Sequence, residues 1–121
     1  MFDFEKLIIY DKAKTFNSEI RSFIHSTQLN RTTKDQLRRA SLSIVLNIAE
    51  GSGRFSKPDR RNFFVISRSS AFECVAILDV LHDEGVISQN AFQKFYANAE
   101  EISKILFAMI NRFQLPRKGI P

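Results

Sequence analysis

The sequence predicts an all-α protein folded as an antiparallel up-down-up-down four-helix bundle. Apolar residues recur every three or four positions in four long segments, and capping residues or glycines bound these segments. No stretch alternates in the manner of a strand, and short connectors make consecutive helices antiparallel neighbours. With 121 residues, 44% hydrophobic content and twelve phenylalanines, the chain is long enough to build the core of one domain.

The first two helices follow directly from this spacing. Helix one is expected from Phe4 to about Thr27, and a polar connector with capping residues follows at residues 30–33. Helix two continues the period from Leu37 to Ile48, and we interpret Gly51-Ser-Gly53 as its glycine stop.

Helices three and four begin at recognisable caps. Ser56 is the expected N-cap of helix three, with Pro58 in its first turn, and the apolar period then continues to Gly85. Ser88 caps helix four, whose stripe is nearly a strict heptad at Phe92, Phe95, Ala99, Ile102, Leu106, Met109 and Phe113. We expect one domain at residues 1–115 and a mobile tail at residues 116–121, because Pro116 cannot continue a helix.

Helices two and three carry more apolar surface than a bundle needs. A bundle helix buries one stripe, yet apolar residues cover nearly the whole circumference of both helices, including Leu42, Val45, Leu46, Phe72, Val75 and Val80. Such surplus is usually covered by another subunit. We therefore expect a homo-oligomer with these two helices in the interface.

Cysteine, histidine and membrane signals exclude several classes of protein. The single Cys74 excludes an intramolecular disulfide and falls on the core stripe of helix three, and neither His25 nor His82 has metal-ligand spacing. The N-terminus lacks a secretory pattern, and the longest apolar windows are too short for a membrane span. We expect a cytoplasmic protein with no cofactor, no bound metal and no membrane contact.

The positive charge is concentrated in one hairpin. Residues 31–68 hold nine basic and three acidic side chains, whereas the rest of the chain holds nine basic and ten acidic ones. Such asymmetry favours a polyanionic partner, although a solvated face would carry the same pattern.

Polar residues interrupt the apolar pattern of both central helices. Ser43, Asn47 and Glu50 share one stripe of helix two, and Ser67, Ser70 and Glu73 form a similar set on helix three. Equal rise in a hairpin would pair Glu73 with Arg38 or Arg39, and Glu50 with Arg61. We interpret these groups as buried partners that fix helix register; the alternative is a carboxylate site for a metal or for acid–base chemistry. No Glu-x-x-His pair is present, which favours register.

The loop from Gly51 to Lys57 invites comparison with a phosphate-binding loop. It lacks the glycine before the lysine and the hydroxyl after it, and no strand precedes it. The N-terminus of helix three beside these basic residues still predicts a weak anion site.

The run from Gln36 to Gly53, with its core Ser43-Ile-Val-Leu-Asn-Ile-Ala-Glu-Gly51, resembles a bacterial four-helix-bundle family founded on the 23S rRNA intervening-sequence proteins. Ser43, Asn47, Glu50, Gly51, Ser70 and Glu73 stand at its signature positions. The resemblance implies a bundle that assembles as a ring, commonly a pentamer. It extends to proteins similar to the accessory variability subunit of diversity-generating retroelements, which implies basic surface that binds nucleic acid and a reverse transcriptase.

Two functional hypotheses follow. The first is a non-enzymatic, homo-oligomeric module that binds the phosphate backbone of RNA or DNA through Arg54, Lys57, Arg60 and Arg61, with Arg38, Arg39 and Arg68 as further candidates. The second is a protein–protein adaptor, for example for a reverse transcriptase, without direct nucleic-acid binding. A third hypothesis, which the sequence favours least, is a carboxylate-based enzyme.

Overall fold

A computed structural model describes residues 1–113 and confirms the predicted all-α four-helix bundle. A short 3₁₀ turn, Asp3–Lys6, precedes four helices: α1 (Ile8–Ser26), α2 (Arg31–Ser52), α3 (Lys57–Asp83) and α4 (Gln89–Arg112). The first predicted helix is divided because the backbone of Leu7 is extended, with φ −86° and ψ 125°. The predicted domain boundary at residue 115 and the predicted tail at residues 116–121 lie outside the described residues.

Side-chain caps fix the starts of three helices. The side chains of Asn30, Ser56 and Ser88 each accept a hydrogen bond from the backbone N–H three residues later, at 2.8, 3.2 and 3.2 Å. Each bond satisfies one of the donors that a helix start leaves unpaired and contributes about 1 kcal/mol. The caps predicted at Ser56 and Ser88 are thus confirmed.

Each helix packs on the next along the chain, and α1 also packs on α4, which closes the bundle around one core. The most deeply buried large side chains come from all four helices: Phe16, Ile20, Leu37, Ile44, Ile48, Phe64, Leu78, Ile102 and Leu106. The core therefore holds every helix in place and fixes which face of each one reaches the surface.

Gly51 lies inside the last turn of α2, and the glycine stop predicted at Gly51-Ser-Gly53 is confirmed at the last residue of that segment. The C-cap is Gly53, whose φ of −90° needs no glycine. A side chain at Gly51 would place its Cβ 2.8 Å from Cε1 of Phe64 and 3.0 Å from Cβ of Phe63. Gly51 is therefore required by the close approach of α2 and α3.

Small polar side chains join the helices inside the bundle. Ser67 Oγ donates to the backbone carbonyl of Ile44 at 2.8 Å, and Ser70 Oγ donates to Ser43 Oγ at 2.8 Å. Asn47 Nδ2 completes this second contact by donating to Ser43 Oγ at 3.0 Å. The two serine donors, Ser67 and Ser70, thus connect α2 to α3 level by level, as expected of residues that fix register.

A further polar contact, between Ser41 Oγ and Asn17 Oδ1 at 2.9 Å, connects α1 to α2 and was not predicted from the sequence.

Across residues 1–113, no helix has the length together with the apolar character needed to cross a membrane.

Candidate nucleic-acid interface

Four basic side chains lie where α2 turns into α3. We call Arg54, Lys57, Arg60 and Arg61 the basic turn. Arg54 is exposed and forms an ion pair with Glu50, 3.1 Å away, while its guanidinium lies 4.6 Å from the centroid of the Phe63 ring. Its position is thus set by one carboxylate and one aromatic face.

The other three members of the basic turn keep their charge unpaired within residues 1–113. Lys57 is exposed at the first residue of α3. Arg60 donates from Nε to the backbone carbonyl of Arg54, which ties the turn to the helix. Arg61 is half-buried, and its Nε finds no hydrogen-bond partner in the described chain. The turn therefore presents a net positive surface held by local contacts.

The start of α3 offers fewer backbone donors than the predicted anion site requires. Pro58 has no N–H, and the N–H of Asp59 is taken by Ser56 Oγ. Only the N–H groups of Ser56 and Lys57 remain from the first turn. An anion at this end would depend mainly on the basic side chains.

Arg112 is a basic residue that the sequence hypotheses did not single out, and the fold brings it to the same end of the bundle. Its neighbour Phe113 lies 5.9 Å from Phe64, ring centroid to centroid, and 5.9 Å from the guanidinium of Arg60. The last turn of α4 is thus beside the first turns of α3. Only the antiparallel fold brings residues so distant in sequence together.

The structure does not bring Arg38 and Arg39 to the basic turn. Sixteen positions separate Arg38 from Arg54, which corresponds to about 24 Å of helix. Arg38 instead pairs with Asp35, 3.2 Å away on the same helix. The predicted pairing of Glu73 with Arg38 or Arg39, and of Glu50 with Arg61, is wrong. Glu50 pairs instead with Arg54, one turn away, and Glu73 is exposed and forms no ion pair within residues 1–113.

Arg68 belongs to a different surface, the groove between α3 and α4. Its guanidinium lies 4.7 Å from the Phe72 ring centroid and 5.2 Å from that of Phe107. Its Nε donates to the backbone carbonyl of Ser103 at 3.3 Å. About 10 Å of helix separates it from Arg61, and these contacts hold it in the groove.

The signature residues divide into an inner and an outer set. Ser70 is buried, Ser43 and Asn47 are half-buried, and Gly51 is packed under Phe64, whereas Glu50 and Glu73 are exposed. The Ser43–Ser70 contact places the two carboxylates about 15 Å apart along the hairpin. The carboxylates therefore do not form the paired centre considered as an alternative.

Cys74 is buried in the core, as its position on the core stripe predicts. Burial raises the pKa of its thiol from 9.0 to about 12, and the nearby negative charge of Glu73 adds to this rise. The thiol is therefore protonated at neutral pH and is a poor nucleophile.

One exposed cluster near the end of α3 could offer metal ligands. Ligand atoms of Asp79, His82 and Asp83 lie within 4.8 Å of one another. The His82 ring also stacks on Phe92 at 4.7 Å between centroids. Exposed acidic groups often have this arrangement without a metal, so the cluster by itself defines no metal centre.

A four-helix bundle with a basic turn at one end defines the class of protein, and comparison with known proteins defines the family. Residues 5–108 match the 23S rRNA-intervening sequence proteins, and the chain belongs to that family. The resemblance drawn from its motif is confirmed. Among curated proteins, none matches this sequence.

A solved structure from Bacteroides thetaiotaomicron VPI-5482, described as a protein of unknown function from the S23 ribosomal protein family, has the same fold. Its TM-score is 0.80 and its sequence identity 25%, over 85% of this chain and 98% of that one. The family and this relative are both of unknown function. Function must therefore be argued from the surfaces of the molecule.

Proposed function

We propose that this protein is a non-enzymatic, homo-oligomeric module of the cytoplasm that binds the phosphate backbone of nucleic acids through the basic turn. One observation carries the proposal: Arg54, Lys57, Arg60 and Arg61 lie together at one end of the bundle, and Asp59 and Glu50 are the acidic residues nearest in sequence. Clustered cations at an exposed turn attract a polyanion and steer its approach.

The basic turn favours contact with phosphates over recognition of bases. Phe55 is the one fully exposed aromatic residue in it, whereas Phe63 lies under the Arg54 guanidinium. Sequence-tolerant binding of single strands usually depends on several aromatic platforms. Binding is then left to phosphate contacts, which carry no sequence information, so the module should bind RNA and DNA with little sequence preference.

The homo-oligomeric part of the proposal is supported by exposed apolar side chains. Leu46 on α2, Ile66, Phe72 and Val80 on α3, and Tyr96 and Phe107 on α4 are all exposed in the isolated chain. Several exposed apolar side chains on neighbouring helices commonly mark an interface. A ring of several copies, commonly five in the family, would cover these side chains and repeat the basic turn around its circumference.

The nucleic-acid part is tested by removing two exposed cations from the basic turn. Fluorescence anisotropy with a labelled duplex and a labelled single strand, across a salt titration, should show weaker binding for Arg54→Gln/Lys57→Gln. For each phosphate that the variant no longer neutralises, the slope of log affinity against log salt should become shallower by about 0.9 on duplex and about 0.7 on single strands.

The matched control is Arg31→Gln/Arg38→Gln, which removes the same charge from exposed positions at the other end of α2. Unchanged salt slopes in this control are expected. Equal weakening in both variants would mean that net charge alone attracts nucleic acid, and binding that ignores salt would exclude the phosphate mechanism. An oligomer that binds no nucleic acid would replace this proposal with the protein–protein adaptor, with a reverse transcriptase as a partner to test.

A further inference from the structure

Two stripes of exposed and half-buried residues with the same spacing lie on different sides of the bundle. The α2 stripe consists of Arg39, Ser43, Leu46 and Glu50, and the α3 stripe consists of Arg68, Phe72, Val75 and Asp79. In both, the intervals are four, three and four residues, which keeps the members on one helix face. Each stripe spans about 16 Å.

The α3 stripe forms one wall of the groove between α3 and α4. The groove has a volume of about 640 Å³, and Tyr96 and Phe92 are among its apolar residues on α4. Phe72, in the middle of the stripe, is 55% exposed. The groove is basic at Arg68 and acidic at Asp79, since Glu100 and Lys104 within it offset one another at 3.8 Å.

The α2 stripe has the same order of charge along the chain, so an antiparallel contact between the two stripes brings opposite charges together. It begins with the cation Arg39 and ends with the anion Glu50, and between them Leu46 is 51% exposed. It borders the other side of α3, because Ser43 receives the hydrogen bond of Ser70 there. A single chain cannot bring its α2 stripe onto its own α3 stripe.

An antiparallel alignment of the two stripes makes three of the four levels complementary, two by charge and one by apolar contact. Arg39 meets Asp79, Ser43 meets Val75, Leu46 meets Phe72, and Glu50 meets Arg68. Within residues 1–113, Arg39, Arg68 and Asp79 form no ion pair. Glu50 pairs with Arg54 only in an exposed one-turn contact, which is worth about 0–1 kcal/mol and is readily exchanged.

We propose that the α2 stripe of one copy docks antiparallel into the α3–α4 groove of a second copy. The inference rests on the homo-oligomer of the proposed function and specifies its contact surfaces. Because the two surfaces differ, the contact is head-to-tail, and repetition generates a ring wherever the rotation closes. Of the basic turn, this contact affects only Arg54, whose partner Glu50 is taken by Arg68 of the second copy, so the four cations stay free for nucleic acid.

The decisive experiment mixes two variants, each damaged on one surface only. Leu46→Glu alters the α2 stripe, and Phe72→Glu alters the groove. Light scattering on a sizing column should give a multiple of the 14.0 kDa chain mass for the unmodified protein and a monomer for each variant alone. An equimolar mixture should give twice the chain mass, because one intact pair of surfaces remains.

Ile8→Glu is the control, since Ile8 is an exposed apolar residue on α1, away from both surfaces. It should keep the mass of the unmodified protein. A mixture that stays monomeric overturns the head-to-tail contact. A Leu46→Glu variant with the mass of the unmodified protein would also overturn this contact. That mass is expected if two copies of α3 pack symmetrically. Unchanged mass for Phe72→Glu with loss of RNA binding would make the groove a nucleic-acid site instead.

Charge reversal tests the alignment of the two stripes, and circular dichroism of the same variants checks that they remain helical. Arg39→Glu should dissociate the oligomer while circular dichroism stays helical, because the residue is exposed. Adding Asp79→Arg should restore the mass, since the pair is then reversed. Failure of the second change to restore assembly contradicts the alignment, whatever the nucleic-acid experiments show.

Discussion

Gly51 is the residue at which the α2–α3 contact is tightest. Phe64 is buried and Phe63 is half-buried, and both approach the position that a Cβ would occupy. Neither contact involves the tip of a flexible side chain, so a side chain at Gly51 must push the two helices apart. The requirement for glycine comes from packing density and not from backbone conformation.

Gly51→Ala should destabilise the protein in spite of alanine's better helix propensity. Propensity favours alanine by about 1 kcal/mol, and overpacking costs about 1–3 kcal/mol. Urea denaturation should therefore show a net loss of up to about 2 kcal/mol in the free energy of unfolding. Gly53→Ala is the matched control, because its Cβ would come no closer than 3.7 Å to the heavy atoms that it meets within residues 1–113. A Gly51→Ala variant as stable as the control would contradict the packing argument.

Cys74 should react with thiol reagents only after the protein opens. Its pKa of about 12 leaves almost no thiolate in the folded state, and its side chain is buried. A group whose folded pKa is raised stabilises the fold below its unfolded pKa, here 9.0, and that contribution is lost as the pH rises towards 12.

At neutral pH, the rate at which an excess of Ellman's reagent modifies Cys74 should match the rate at which the protein unfolds. Between pH 9 and 12, the free energy of unfolding should fall less steeply in Cys74→Ala than in the unmodified protein. Rapid modification of the native protein would show that the thiol is accessible.

At the scale of elements, α3 contributes to the core, the basic turn and the groove. Its inner face holds Phe64, Ser67, Ala71 and Leu78, its first turn forms part of the basic turn, and its outer face forms the α3 stripe. Its ends must therefore be defined well. Ser56 is the N-cap of α3, and Glu84, the residue before Gly85, is its C-cap.

Gly85→Ala should loosen the turn from α3 to α4. Gly85 has φ 75°, and an added Cβ would meet nothing within 4 Å, so the cost is one of backbone conformation alone. A left-handed conformation costs a residue with a Cβ about 1–2 kcal/mol. Gly85→Asn should be destabilised less, because asparagine tolerates this region better. Denaturation midpoints of the two variants check the order, and equal destabilisation would argue against a conformational cause.

At the scale of the whole molecule, the fold separates two surfaces that the sequence places in one basic hairpin. The basic turn lies at one end of the bundle, whereas Arg68 and Arg39 lie along its sides. Binding and assembly are therefore expected to respond to different substitutions.

Assembly should strengthen binding through avidity. The Phe72→Glu monomer should bind a short oligonucleotide as well as the unmodified protein does, because its basic turn is intact. On a long RNA that spans several copies, it should bind weaker by on the order of 100-fold. Arg54→Gln/Lys57→Gln should keep the mass of the unmodified protein and bind both ligands more weakly. Equal affinity of monomer and oligomer for long RNA would contradict this expectation.

The sequence by itself determined the four helices, their caps at Ser56 and Ser88 and the family, because periodicity and capping are local properties of the chain. It also located the hydroxyls of Ser43, Ser67 and Ser70 that join α2 to α3. Local pattern was enough here, since hairpin neighbours are aligned by equal rise per residue.

Only the tertiary structure decided which polar residues are buried, which cations meet and why Gly51 is glycine. The exposure of Glu50 and Glu73 depends on the rotation of α2 and α3 about their axes. The position of Phe113, the neighbour of Arg112, beside Arg60 depends on contacts between residues about fifty positions apart. Rotation and long-range contact are set by how all four helices fill one core, and no local stretch of sequence contains that information.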